Sequence, residues 1–193
     1  MKRRVIITGG SKGIGKAIAE RFAKEECDIY LLASNKENLE KTKSELQNKY
    51  YIHVDYYAAD LKTKTGCENA IKAVEKEFEN FDTLIFSAGA TKSGDFLKQP
   101  IEDFEDGFAL KFYSAIRLSK AFWPTLSKNK GWICHMILFY NPNYLYLFTN
   151  IQIGGRYKLT SGNMNVMAIY PGFGASLLGA FLSRPNEIRP QVI

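Results

Sequence analysis

Short apolar runs alternate along this chain with longer stretches whose apolar positions recur at helical spacing. Residues 4–8, RVIIT, form a short β-branched run that ends in glycines. Residues 13–25 follow, with Ile14, Ala17, Ile18, Phe22 and Ala23 at helical spacing. DIYLLA at 28–33 predicts a second strand, and 36–48 a charged amphipathic helix marked by Leu39 and Leu46. A third strand is expected over 53–58, its ends blurred by Tyr50, Tyr51, Tyr56 and Tyr57, and a third helix over 66–80. Thr83–Phe86 reads as a fourth strand, and 101–127 is helical again, carrying Phe104, Phe108, Leu110, Phe112, Ile116, Leu118, Ala121 and Phe122. Pro124 is expected to end or kink that helix. GWICHMI and NVMAIY supply a fifth and a sixth strand. Strands alternating with helices of ten or more residues predict βαβ units: an α/β fold with a doubly wound parallel sheet covered on both faces. Without internal repeats or a low-complexity linker, residues 1–193 read as a single domain.

Composition narrows the function classes. The chain is 46% hydrophobic and 13% aromatic, which argues against disorder. No segment offers the 18 or more apolar residues of a membrane helix, and the apolar run Val5–Ile7 is too short for a signal peptide. The net charge of +6 is spread over helical faces where acidic and basic residues interleave, as in Lys36, Glu37, Glu40, Lys41, Lys43 and Glu45. That pattern is a solvated helix and not a nucleic-acid stripe. Cys27, Cys67 and Cys134 are widely spaced and form no CxxC pair, and His53 and His135 lack metal-ligand spacing. The expectation is a cytoplasmic protein with reduced thiols, no metal site, and no membrane or nucleic-acid partner.

Chemistry enters at Thr8-Gly9-Gly10-Ser11-Lys12-Gly13-Ile14-Gly15. A glycine-rich turn between a strand and a helix lets the backbone approach a pyrophosphate and sets it at the helix N-terminus, where free N–H groups and the dipole favour an anion. The turn follows a strand and opens an alternating βα pattern, which makes it a dinucleotide-binding signal of Rossmann type. Its spacing, TGxxxGxG, resembles that of the short-chain dehydrogenase/reductase family over residues 4 to about 130. Three further matches join it: Asp60-Leu61 after the third strand, Ser87-Ala88-Gly89 after the fourth, and Pro171-Gly172 after the sixth. The resemblance implies that Thr8, Gly9, Ser11, Lys12, Gly13, Ile14, Gly15, Ser34, Asn35, Asp60, Leu61, Ser87, Ala88, Gly89, Pro171 and Gly172 bind the cofactor. Ala33-Ser34-Asn35-Lys36 has no carboxylate for a ribose hydroxyl, and the resemblance implies that Lys12, just ahead of Gly13, meets a 2′-phosphate. NADP(H) is therefore expected in preference to NAD(H).

The resemblance weakens after residue 130. In the family a Tyr donates a proton, a Lys four residues later lowers its pKa, a Ser upstream holds the substrate oxygen, and an Asn on the preceding helix holds a water. No Tyr here is followed by Lys at the fourth position, Ile137 and Leu138 stand where the Ser belongs, and Lys111 stands at the helix Asn. Lys158 adjoins Tyr157, and adjacent residues do not share a helix face. Residues 131–155 contain no Asp, Glu, Lys or Arg, and the usual catalytic helix has no room before Val166. Two readings of 131–162 stand open. One is a strand–turn–strand ribbon around Asn141-Pro142-Asn143 that replaces the helix; the other is a frame-shifted stretch. Only 21 residues follow Pro171-Gly172, so a fold shortened on its C-terminal side is expected, and a homo-oligomer is left open.

Three functional readings follow. The chain is an oxidoreductase acting on a small-molecule carbonyl/alcohol pair, with Lys111, alone or with Tyr113 or Tyr157, polarising the carbonyl. Alternatively it is a cofactor-binding protein without the chemistry, or a fragment of a dehydrogenase.

Overall fold

A computed structural model describes residues 2–89, 97–136 and the strand 165–169. The elements in chain order are β1 (Arg4–Thr8), α1 (Gly13–Lys24), β2 (Asp28–Ala33), α2 (Lys36–Lys49), β3 (Val54–Ala58), α3 (Lys64–Glu77) and β4 (Thr83–Phe86). They continue with α4 (Ile101–Phe108), a π turn (Ala109–Tyr113), α5 (Ser114–Lys128), β5 (Trp132–Met136) and β6 (Asn165–Ile169).

Alternation along each strand divides the core into two layers, because successive side chains leave a strand on opposite faces. Val5, Ile7, Ile29 and Leu31 pack with Ile18 and Phe22 of α1 and Leu39 and Leu46 of α2. Ile6, Tyr30, Leu32 and Leu84 pack with Ala70 and Val74 of α3 and Leu118, Phe122 and Leu126 of α5. The sheet is thus covered on both faces, and its order is β3-β2-β1-β4-β5-β6 with every pair parallel. This is the doubly wound, Rossmann-type sheet that the alternation predicts. Helix starts follow their local chemistry: the Asn35 side chain accepts from the Asn38 N–H at 2.7 Å, and Thr63 Oγ1 from the Gly66 N–H at 2.9 Å.

Of the two outcomes expected at Pro124, ending the helix does not occur, since α5 runs through it to Lys128. A proline removes the hydrogen bond to the carbonyl four residues earlier, here Lys120, and both residues lie on the exposed face, where water can hydrate that carbonyl. The helix departs from α geometry earlier instead, at the π turn. There the Ser114 N–H donates to the Ala109 carbonyl, and the Ser114 hydroxyl donates to the Leu110 carbonyl.

The sixth strand lies where NVMAIY predicts it, beside β5 in register Trp132 to Asn165. The ribbon expected around Asn141-Pro142-Asn143 falls outside the described residues. Cys27, Cys67 and Cys134 are free and buried.

Candidate functional site

The chain lays β2 and β3 on one side of β1, then crosses back to place β4 on the other. Where connections leave in opposite directions, a crevice opens at the carboxyl ends of the strands. In this protein the crevice lies where β1 and β4 end, with Thr8 paired to Phe86.

Thr8 ties these two ends together. It is buried, and its hydroxyl oxygen accepts from the Ser87 and Ala88 N–H groups, each at 3.2 Å. Gly9 follows at φ +72°, and its N–H donates to the Leu32 carbonyl at 2.7 Å. A β-carbon on Gly9 would stand 2.7 Å from Ala88 Cα, and one on Gly15 would stand 2.2 Å from the Gly9 carbonyl oxygen. The loop is therefore folded onto itself and onto the end of β4 with no room for a side chain at either position.

At the far end of this loop α1 begins. Lys12 is its N-cap residue and makes no side-chain cap, and the first turn holds no acidic residue. The leading N–H groups and the positive dipole end thus present an anion site beside exposed Lys12, Gly13 and Ile14, with Ser11 partly buried. Ser34, Asn35 and Lys36 are exposed where β2 passes into α2. Past β3, Asp60 is exposed, its Oδ1 accepting from the Lys62 N–H at 3.0 Å, while Leu61 is buried.

A family model described as short chain dehydrogenase matches residues 3–137. The chain belongs to this family. A tropinone reductase homolog of Arabidopsis thaliana is 31% identical over 167 residues, covering 86% of this chain and 60% of that protein. A 12alpha-hydroxysteroid dehydrogenase of Clostridium is 35% identical over 133 residues, covering 65% of this chain and 51% of the relative. The chain spans about half the length of the curated relatives it matches. Among solved structures, L-sorbose reductase from Gluconobacter frateurii, complexed with NADPH and L-sorbose, superposes with a TM-score of 0.69 at 28% identity, covering 79% of this chain and 64% of that one. An alcohol dehydrogenase from Thermococcus sibiricus, complexed with 5-hydroxy-NADP, shares the fold with a TM-score of 0.83 at 20% identity, covering 98% and 94% of the two chains.

The family's glycine turn and the Ser87-Ala88-Gly89 segment come together in the crevice, and Lys111 joins them from the π turn. A β-carbon on Gly89 would lie 3.2 Å from Lys111 Cε, so the lysine side chain crosses directly over this glycine. Burial lowers the pKa of its ammonium, because a charge held away from water is disfavoured. Tyr113 stands apart from this arrangement: it is half exposed, and the Arg117 guanidinium lies 5.7 Å from its ring centroid. Tyr157, Pro171 and Gly172 lie outside the described residues, as do Ile137 and Leu138 at the positions of the family Ser.

One contact of the loop is absent from the motif reading. Thr42, in the middle of α2, donates from its hydroxyl to the Ser11 carbonyl at 3.2 Å. The signal for it was a polar residue in the otherwise apolar row Leu39, Thr42, Leu46. Among the described residues no cluster of three or more His, Cys, Asp or Glu could hold a metal ion, and no helix is long and apolar enough to cross a membrane.

Proposed function

We propose that this member of the short-chain dehydrogenase family binds NADP(H) and acts as an oxidoreductase on a small-molecule carbonyl/alcohol pair. The observation that carries the reading is the side-chain-free turn of Gly9 and Gly15, packed against the backbone of Ala88, at the start of α1, where Lys12 makes no side-chain cap. A pyrophosphate needs such close backbone approach and such unengaged N–H groups, so the residues present fit the group. The phosphate-rich end of the cofactor would be held by the Ser11–Gly15 turn, and Asp60 and Leu61 would flank its adenine. Lys12, together with Ser34 and Asn35 where β2 passes into α2, would meet the 2′-phosphate. A carboxylate at the end of β2 would repel that phosphate, and none stands there. Gluconobacter L-sorbose reductase, complexed with NADPH, supports the same preference.

When bound, the nicotinamide would supply or accept the hydride. The chain's own part is to polarise the substrate oxygen, and Lys111 is the residue offered for it. Its Cε lies over Gly89, next to the segment after β4, and burial makes its ammonium a stronger acid than that of an exposed lysine.

A second reading is a cofactor-binding protein without turnover, favoured by the absence of any Tyr with Lys at the fourth following position. Fluorescence titration with NADPH and NADH, followed by a panel of ketones and alcohols, separates the two. Tighter binding of NADPH with turnover supports the oxidoreductase. Binding without consumption supports the second reading, and tighter binding of NADH overturns the NADP(H) preference.

A further inference from the structure

We infer that Thr42 is a positioning residue for the phosphate loop, and that its hydroxyl sets the orientation of Lys12 and with it the preference between the two dinucleotides. The inference rests on the NADP(H) reading and adds to it a residue outside the glycine motif.

Thr42 is 1% exposed and sits on the inner face of α2 between Leu39 and Leu46, which are also buried. Packing alone would be served there by an apolar residue, since a hydroxyl removed from water is costly unless it is hydrogen-bonded. A mid-helix threonine commonly satisfies itself on the carbonyl four residues earlier. Thr42 instead donates across to Ser11, 31 residues away in sequence, in the loop ahead of α1.

That carbonyl belongs to the peptide joining Ser11 to Lys12. The chain has no cis peptide bond among its described residues, so the carbonyl oxygen and the following N–H point in opposite directions across one plane. Holding the Ser11 oxygen against α2 therefore turns the Lys12 N–H away from α2, and Lys12 itself is exposed. A rotation of this peptide would move both the N–H and the start of the lysine side chain.

Three further contacts tie α1 to α2 and its C-cap. Lys16 pairs with Glu45, and Glu20 accepts from Lys49 at 2.7 Å and from the Tyr50 hydroxyl at 3.2 Å. Ser11, Lys16 and Glu20 thus meet Thr42, Glu45 and Lys49 in the same order along both segments. The ion pairs are solvent-exposed and worth little by themselves. Thr42 is the buried member of the row and the one that reaches the loop.

The experiment compares the dissociation constants of NADPH and NADH for the full chain, Thr42→Val and Thr42→Ser, with a thermal melt of each. Valine keeps the shape and removes the hydroxyl; serine keeps the hydroxyl. The expected result is NADPH binding weakened about tenfold in Thr42→Val, NADH weakened less, and affinity restored towards the parent in Thr42→Ser. Unchanged affinities in Thr42→Val, or equal weakening of both dinucleotides, would overturn the role of Thr42 while leaving the NADP(H) reading intact. Loss of NADPH affinity in Thr42→Ser to the same degree as in Thr42→Val would overturn it too. If the parent chain binds neither dinucleotide, both readings fail.

Discussion

Gly9 and Ala88 touch backbone to backbone: a β-carbon on Gly9 would lie 2.7 Å from both the Cα and the N of Ala88. This contact joins the end of β1 to the end of β4, so the glycine turn and the segment after β4 form one wall. Gly9→Ala forces these backbones apart and places a side chain at φ +72°. The variant should lose about 2 to 4 kcal/mol of stability and its dinucleotide binding, as read by urea denaturation and fluorescence titration. Stability within half a kcal/mol of the parent would show that the two ends can separate freely.

Lys111 tests the chemistry. Lys111→Met keeps most of the aliphatic stem over Gly89 and removes the ammonium. Turnover should fall by about a hundredfold or more with the NADPH dissociation constant unchanged, if the lysine polarises the substrate oxygen. Unaltered kcat would remove Lys111 from the reaction.

Tyr30 offers a gain in stability. Its ring packs against Phe78 at a centroid distance of 5.5 Å, and its hydroxyl is buried with no hydrogen-bond partner among the described residues. Tyr30→Phe keeps the ring and removes a polar group that folding takes out of water. We expect the variant to be about 1 kcal/mol more stable by denaturant midpoint. A destabilised variant would mean that the hydroxyl is satisfied in solution.

His135 makes the fold acid-sensitive. It stacks on Phe86 at 4.7 Å between ring centroids, and burial brings its pKa down to about 4. An unfolded imidazole takes up a proton near pH 6.5, roughly its ordinary value, whereas the folded one resists until about 4. Between those values the unfolded state binds more protons, so the stability contributed by the neutral ring is complete above pH 6.5 and falls as the solution is acidified. The parent should lose about 2 kcal/mol between pH 7 and pH 5 from this group. In His135→Phe that part of the slope should vanish, and an equally steep slope in the variant would assign the sensitivity elsewhere.

Much of this was legible in the residues. Short apolar runs marked the strands and 3.6-residue spacing the helices from β1 to α5, because a strand buried on both faces is apolar throughout while a surface helix is apolar on one side. The sheet class followed from their alternation, and the tight turn at Gly9–Gly15 from glycines placed between a strand and a helix. Tertiary structure alone decided what the local pattern does not contain. Sheet order brought Gly9 against Ala88 and Thr8 beneath Ser87, residues distant along the chain whose contact depends on β4 returning to the side of β1. Helix docking gave the Thr42 hydroxyl its partner in Ser11. Solvent on the outer face let α5 continue through Pro124, which local propensity reads as a stop or a kink, and the π turn laid Lys111 over Gly89. Periodicity is set by neighbours a few residues away, so one sequence reveals it; these contacts are set by how whole elements pack, and only the folded chain holds them.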